Sequence, residues 1–229
     1  MQRRHDELLS EAMDRNAIKP PHLAGNPASI ARRAIVFTAL ATSAFVAHAA
    51  ALTVQVLDAS GQALQDAVVY AEAAAGHAPP KLQKIVEIEQ KGRRFIPLVT
   101  AVQAGTSIAF PNNDTVRHHV YSFSPAKVFD LKLYTGQPEN PVTFDKPGTV
   151  VIGCNIHDQM VTYIHVVPTP HFARTDANGK ARIEGLAAGK YQLKAWHFGL
   201  PTSAPISEQP LAMTAGDSAA SFKLDVKAR

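Results

Sequence analysis

Short apolar runs that alternate with polar residues, each closed by Gly, Pro, Asn or Asp, dominate the chain from residue 52 onward. A period of two is the mark of half-buried β-strands. Leu52-Thr-Val-Gln-Val-Leu57 alternates, Asp58-Ala-Ser-Gly61 supplies turn chemistry and Ala67-Val-Val-Tyr-Ala71 follows, which predicts a leading hairpin. After a loop at 75–80 the pattern restarts at 85–89. It continues through 95–102, 107–110, 116–123, 129–134, 142–144, 148–153 and 161–167. No segment between 85 and 167 reads as a helix, so the expected class is all-β.

Past Pro168-Thr-Pro170 the character changes. Thr175-Asp-Ala-Asn-Gly179 is followed by Ala181-Arg-Ile183, Leu186 and Gly189-Lys-Tyr-Gln-Leu-Lys-Ala-Trp-His197. Asn178-Gly179 between alternating runs predicts a hairpin.

The N-terminal region reads differently again. Residues 1–30 are polar, contain Pro20-Pro21 and show no sustained period, and Met13 is an alternative initiator. From Arg32-Arg33 an apolar run extends through Val46 and ends at Ala47-His48-Ala49. A positive start, a short apolar core and a small-x-small end describe a signal peptide, with cleavage expected after Ala49. Residues 34–46 are too few to span a bilayer, which needs roughly 20 apolar residues. The expectation is a periplasmic protein with no membrane span after cleavage, and the twin Arg leaves the export route open.

Composition narrows the partners. The chain has 229 residues, 46% of them hydrophobic, which allows one large or two small domains. Net charge is +4, and six basic against four acidic residues lie before residue 50, leaving 17 against 15 beyond it. No nucleic-acid footprint is present in that balance. A single cysteine, Cys154, cannot form an internal disulfide. In an oxidising compartment a metal-bound thiolate is better protected than a spare one.

The densest chemistry is Gly153-Cys154-Asn155-Ile156-His157-Asp158-Gln159-Met160, which carries a thiolate, an imidazole and a thioether at three-residue steps. One Cys, two His and a weak axial Met suit a mononuclear blue-copper centre. A lone cysteine or methionine is more often core than ligand, and the spacing reverses that weighting here. The second histidine must come from a distant strand. His118-His119 is the candidate pair, and since successive strand side chains alternate faces, only one of the two can point inward.

Asn113-Asp114…His118-x-Val120 together with Cys154-x2-His157-x2-Met160 resembles the cupredoxin family, plastocyanin and amicyanin-like blue-copper proteins, over roughly residues 86–167. The resemblance implies a Greek-key β-sandwich with one type 1 copper held by His118, Cys154, His157 and Met160. It selects His118 because the family pattern Asn-x4-His-x-Val fits Asn113 and Val120. The family commonly has Asn after this His, tying the ligand loop, and His119 stands there instead. The whole chain is also similar to bacterial methylamine-utilisation-type, plastocyanin-like proteins. Residues 168–229 resemble the carboxypeptidase-regulatory-like, transthyretin-like (Ig-like) sandwich, and residues 52–71 supply the front half of that same pattern. The expected organisation is an N-terminal extension and signal at 1–49, first strands of the regulatory-like sandwich at 50–78, an inserted cupredoxin domain at 79–167, and the remainder at 168–229. The alternative is that the leading strands simply extend the copper sandwich.

A closed set of two His, one Cys and one Met exchanges electrons and leaves no open position for substrate, and no nucleophile–base pair or phosphate loop stands out, so no enzyme is expected. The expected role is electron transfer with a redox protein such as a c-type cytochrome or a dehydrogenase. The alternative is copper binding and delivery without electron transfer. A third reading, a carbohydrate-associated module, rests only on Tyr191, Trp196 and Phe198, which core packing explains as well. His77, His165, His171 and His197 read as solvated or packed residues. Lys127, Lys132 and Lys146 flank the copper unit and are candidates for partner docking.

Overall fold

The computed structural model describes residues 50–74, 85–138 and 140–227. The expected signal peptide, the N-terminal extension and the proposed boundary at 78/79 lie outside them. Every regular element among the described residues is a strand, so the protein is all-β. In chain order these are β1 (Ala50–Leu57), β2 (Val68–Ala73), β3 (Val86–Glu87), β4 (Glu89–Gln90), β5 (Phe95–Ile96), β6 (Val99–Gln103), β7 (Thr106–Ala109), β8 (His118–Ser124) and β9 (Lys127–Tyr134). They continue as β10 (Val142–Phe144), β11 (Gly148–Gly153), β12 (Val161–Val167), β13 (Phe172–Arg174), β14 (Lys180–Leu186), β15 (Gly189–Trp196), β16 (Ser207–Met213) and β17 (Ser218–Lys223).

The central strands form a five-stranded sheet in the order β6-β12-β11-β8-β9, a three-stranded sheet β10-β7-β3 and a small β4-β5 ladder. Inward side chains from these sheets share one core, including Ile108, Phe110, Val120, Phe144, Ile152 and Ile164. Cys154 and Met160 belong to it. Period-two alternation explains the choice of face on β8: His118, Val120 and Ser122 are fully buried, whereas Tyr121 is half-buried and Phe123 is exposed.

The remaining strands form sheets β14-β1-β17 and β13-β2-β15-β16. Leu52, Val54 and Ile183 from the first meet Val69, Leu193 and Ala195 from the second in a separate core. Strand β2 is buried on both faces. Val69 and Ala71 point into that core, while Val68 and Tyr70 pack with Val99 and Val167 of the central sheet.

Two expected hairpins are corrected. β1 pairs with β14 and β17, and β2 pairs with β13 and β15, so the leading strands lie in different sheets. A tight turn does follow β1, with Asp58 Oδ1 accepting from the Ser60 and Gln62 amides. The chain then crosses the core. Thr175 fixes the crossing by accepting from the Ala67 amide and donating to the Leu64 carbonyl. Likewise Asn178-Gly179 forms its turn, the Gly179 amide donating to the Asp176 carbonyl, but β13 and β14 diverge into opposite sheets. Gly179 has φ +69°, and a Cβ there would sit 2.4 Å from the Val56 carbonyl oxygen. The predicted run 95–102 is also split into β5 and β6, with Pro97, which has no amide proton to donate, between them.

Candidate metal centre

His118 opens β8, and Cys154, His157 and Met160 lie on the loop from β11 to β12. That loop is closed on itself by the Met160 amide donating to the His157 carbonyl at 2.8 Å. The pairing of Gly153 with Tyr121 lays the end of β11 beside β8, which brings the loop to His118. One donor atom each from His118, Cys154 and His157 lie within 4.8 Å of one another. The Cys154 Sγ to His157 Nδ1 separation is 4.0 Å, and the His118 and His157 rings are 5.0 Å apart at 66°. Metal–sulfur and metal–nitrogen bonds of about 2.3 and 2.0 Å put two such donors on one ion roughly 3.5–4 Å apart. Met160, only 1% exposed, lies in the same core as Cys154. A surface cleft lined by Tyr121, Gly153, Asp158 and Met160 reaches the cysteine.

The protonation pattern of His118 is set by Asp114. His118 Nε2 is 2.7 Å from Asp114 Oδ2, and the ring is fully buried. Its Nδ1 is buried without a hydrogen-bond partner among the described residues. With Nε2 engaged by the carboxylate, Nδ1 is the ring nitrogen left to offer a lone pair to a metal. An orphaned buried acceptor is costly, and a metal ion would satisfy it. The donor set therefore fits a soft or borderline transition metal.

Asp114 is itself held. Oδ1 accepts from the Gly92 amide at 2.6 Å and Oδ2 from the Arg93 amide at 2.9 Å. Burial alone would push its carboxyl up, but the Arg93 amide, His118 and the Gly92 amide together keep it below the ordinary range. The donating amides lie in the two-residue loop of the β4–β5 hairpin, where Gly92 (φ +60°) and Arg93 (φ +57°) are both left-handed. Positive φ at both central positions is the geometry of a type I′ turn.

The sequence pattern points to Asn113 as the structural asparagine. Asn113 Nδ2 instead donates to Glu89 at the surface. Its neighbour Asn112 is the buried tether, donating to the Val116 and Tyr134 carbonyls and accepting from the Asp114 amide. The run Asn-Asn-Asp advertises a turn, but which amide faces inward depends on the loop path. His119 packs against Tyr121 and is itself 9% exposed, and its Nε2 pairs with Asp130. The Lys132 and His119 contacts keep the Asp130 carboxyl below its usual range. Gly153 is spatial rather than merely a turn residue, since a Cβ would lie 3.2 Å from the Tyr121 ring.

His77 lies outside the described residues, and the aromatic residues singled out beyond residue 167 are absorbed by packing. Trp196 stacks on His165 at 4.5 Å and 9°, and Phe198 stacks on Tyr163 at 4.9 Å. Tyr191 lies in the core of the second pair of sheets. These rings are not a free carbohydrate platform. Burial lowers His165 to about 4, so it packs as a neutral ring, with Nδ1 3.0 Å from the Thr149 hydroxyl.

No protein-family profile and no curated protein matches the sequence. Solved structures do. Part of the chain is similar to a Cu-containing nitrite reductase from Thermus scotoductus SA-01, at 25% identity and TM-score 0.35, over 42% of this chain and 25% of that one. It is also similar to a purple cupredoxin from Nitrosopumilus maritimus, at 20% identity and TM-score 0.32, over 36% of this chain and 99% of that one. A reduced mutant of amicyanin matches at 17% identity and TM-score 0.34, over 44% of this chain and 99% of its own. The chain thus spans a quarter of the nitrite reductase's length. The donor set itself carries the chemical reading that follows.

Proposed function

We propose that this protein is an exported blue-copper electron carrier, in which His118, Cys154 and His157 hold one copper ion with Met160 as a weak axial ligand. The observation that carries the proposal is the convergence of three donors on one point, one of them a buried imidazole nitrogen with no other partner. Bound there, copper would supply one-electron chemistry through a thiolate bond. The residues do the rest. Asp114 fixes the His118 tautomer, the loop 154–160 fixes the spacing of Cys154 and His157, and the apolar surroundings of Cys154 limit water. We read the chain as a carrier and not an enzyme, because three converging donors with Met160 as a fourth would leave no open position on a bound copper, and we assign it a redox protein such as a c-type cytochrome or a dehydrogenase as partner. Periplasmic placement rests on the sequence of residues 32–49. We further propose that residues 50–78 and 168–229 form one regulatory-like sandwich into which the copper domain 79–167 is inserted. The pairing of β1 and β2 with β13, β14, β15 and β17 supports that division.

Optical absorption of the protein with added Cu(II) tests this reading. An intense visible thiolate charge-transfer band, lost in Cys154→Ser and in His118→Ala, is expected. A weak Cu(II) spectrum indifferent to Cys154→Ser would contradict it and leave copper binding or delivery as the reading.

A further inference from the structure

The loops that fix His118 carry four exposed cations: Lys91, Arg93 and Arg94 on the β4–β5 turn, and Arg117 beside the histidine itself. None of the four forms an ion pair with a described residue. The carboxylates on the same loops are otherwise engaged. Asp114 is taken by two backbone amides and His118, and Glu89 accepts from Asn113. Of the lysines expected to serve docking, Lys127 pairs with Asp145 and Lys132 with Asp130, while Lys146 is exposed on its own, with no second cation beside it in sequence. Asp114 and Glu89 keep their own charge, but three of the four cations fall within the four residues Lys91–Arg94, so the turn itself presents a cationic cluster.

The turn is also wired to the site. The Arg93 amide and His118 Nε2 meet on one oxygen, Asp114 Oδ2, at 2.9 and 2.7 Å. Two hydrogen bonds separate the backbone of a cationic surface turn from a metal-facing imidazole. Arg93 is held at φ +57° by the type I′ turn, which fixes its backbone amide on Asp114.

We propose that the Lys91–Arg94 turn with Arg117 is the docking surface for the redox partner, and that the partner presents a carboxylate-rich face to it. The inference deepens the electron-carrier reading and rests on it. Opposed charges would steer the encounter and orient the partner over the Asp114–His118 bridge, while leaving the strength of the final complex to other contacts.

Two readouts test the surface. In the metal-free protein, hexacyanochromate(III), a redox-inert trianion, should broaden the backbone amide resonances of Lys91–Arg94 and Arg117, and cationic hexaamminechromium(III) should not. Lys91→Ser/Arg94→Ser should abolish that broadening. In the copper(I)-loaded protein, hexacyanoferrate(III) takes one electron and leaves as hexacyanoferrate(II). Its rate should fall about tenfold in the double variant at low ionic strength, and the difference should vanish at high salt. Broadening centred on Lys146 or spread evenly would overturn the proposal. So would an unchanged rate in a variant that keeps its visible band, which would leave the carrier reading intact. Absence of the band in the wild-type protein would instead remove the carrier reading, and the broadening pattern would still decide the surface.

Discussion

Asp114 and His118, four residues apart, share a 2.7 Å hydrogen bond that occupies Nε2 and leaves Nδ1 as the unpartnered nitrogen of a buried imidazole. Removing the carboxylate releases both the ring and the Gly92 and Arg93 amides. Asp114→Ala is expected to weaken copper binding by about 10–100-fold, the usual cost of losing the group behind a metal-ligating histidine. Competition with a chelator of known affinity measures it, and an unchanged affinity would show that the tautomer is fixed some other way.

The proposed axial role of Met160 predicts an electrochemical effect. Met160→Gln replaces a thioether by a harder oxygen donor, which favours Cu(II), so the reduction potential should fall while the visible band persists. Voltammetry of the two proteins reads the shift. Equal potentials would place Met160 among the packing residues only.

Tyr121 lies on Gly153, and a methyl group at 153 would press on its ring at 3.2 Å. Gly153→Ala is expected to destabilise the fold by about 1–3 kcal/mol through overpacking. In a Tyr121→Ala background the same change should cost far less. Chemical denaturation of the four proteins completes the cycle, and additive costs would mean that the ring is not the obstacle.

His165 predicts an acid-sensitive stability. Its folded value, about 4, is depressed by burial below the ordinary histidine value of 6.5. The unfolded chain therefore binds this proton more readily, and stability is full above pH 6.5 and lost as pH falls toward 4. The loss is on the order of 3 kcal/mol. Tyr70, the other titratable ring against it, is pushed up by burial and stays neutral throughout that window. Denaturation midpoints of wild type and His165→Phe between pH 4 and 7 compare the two. A slope equal in both proteins would contradict the assignment.

Much of this fold is legible in the sequence because β-alternation is local. Strands β7, β10, β11 and β12 fall where the pattern places them, and Cys154 and His157 stand out by spacing. Partner choice is not local. The turns after β1 and at Asn178-Gly179 are real, yet whether the chain doubles back or crosses the core is settled by Thr175, 108 residues from the Ala67 amide it caps. Strands β16 and β17 evade reading for another reason. Their Ala, Ser and Pro content, with Pro210 inside β16, suits strands at the edges of their sheets, where fewer backbone donors are needed and burial is slight. The weight of Asp114 and Asn112 is hidden in the sequence because each acts through a neighbour's backbone or ring.

Paramagnetic resonance of the protein loaded with one equivalent of Cu(II) is the most direct test of a single copper shared by His118, Cys154 and His157. The account predicts one stoichiometric species with the narrow copper hyperfine splitting of a thiolate-bound blue site, lost in Cys154→Ser. A wide splitting typical of nitrogen and oxygen ligation, unchanged by Cys154→Ser, would contradict it.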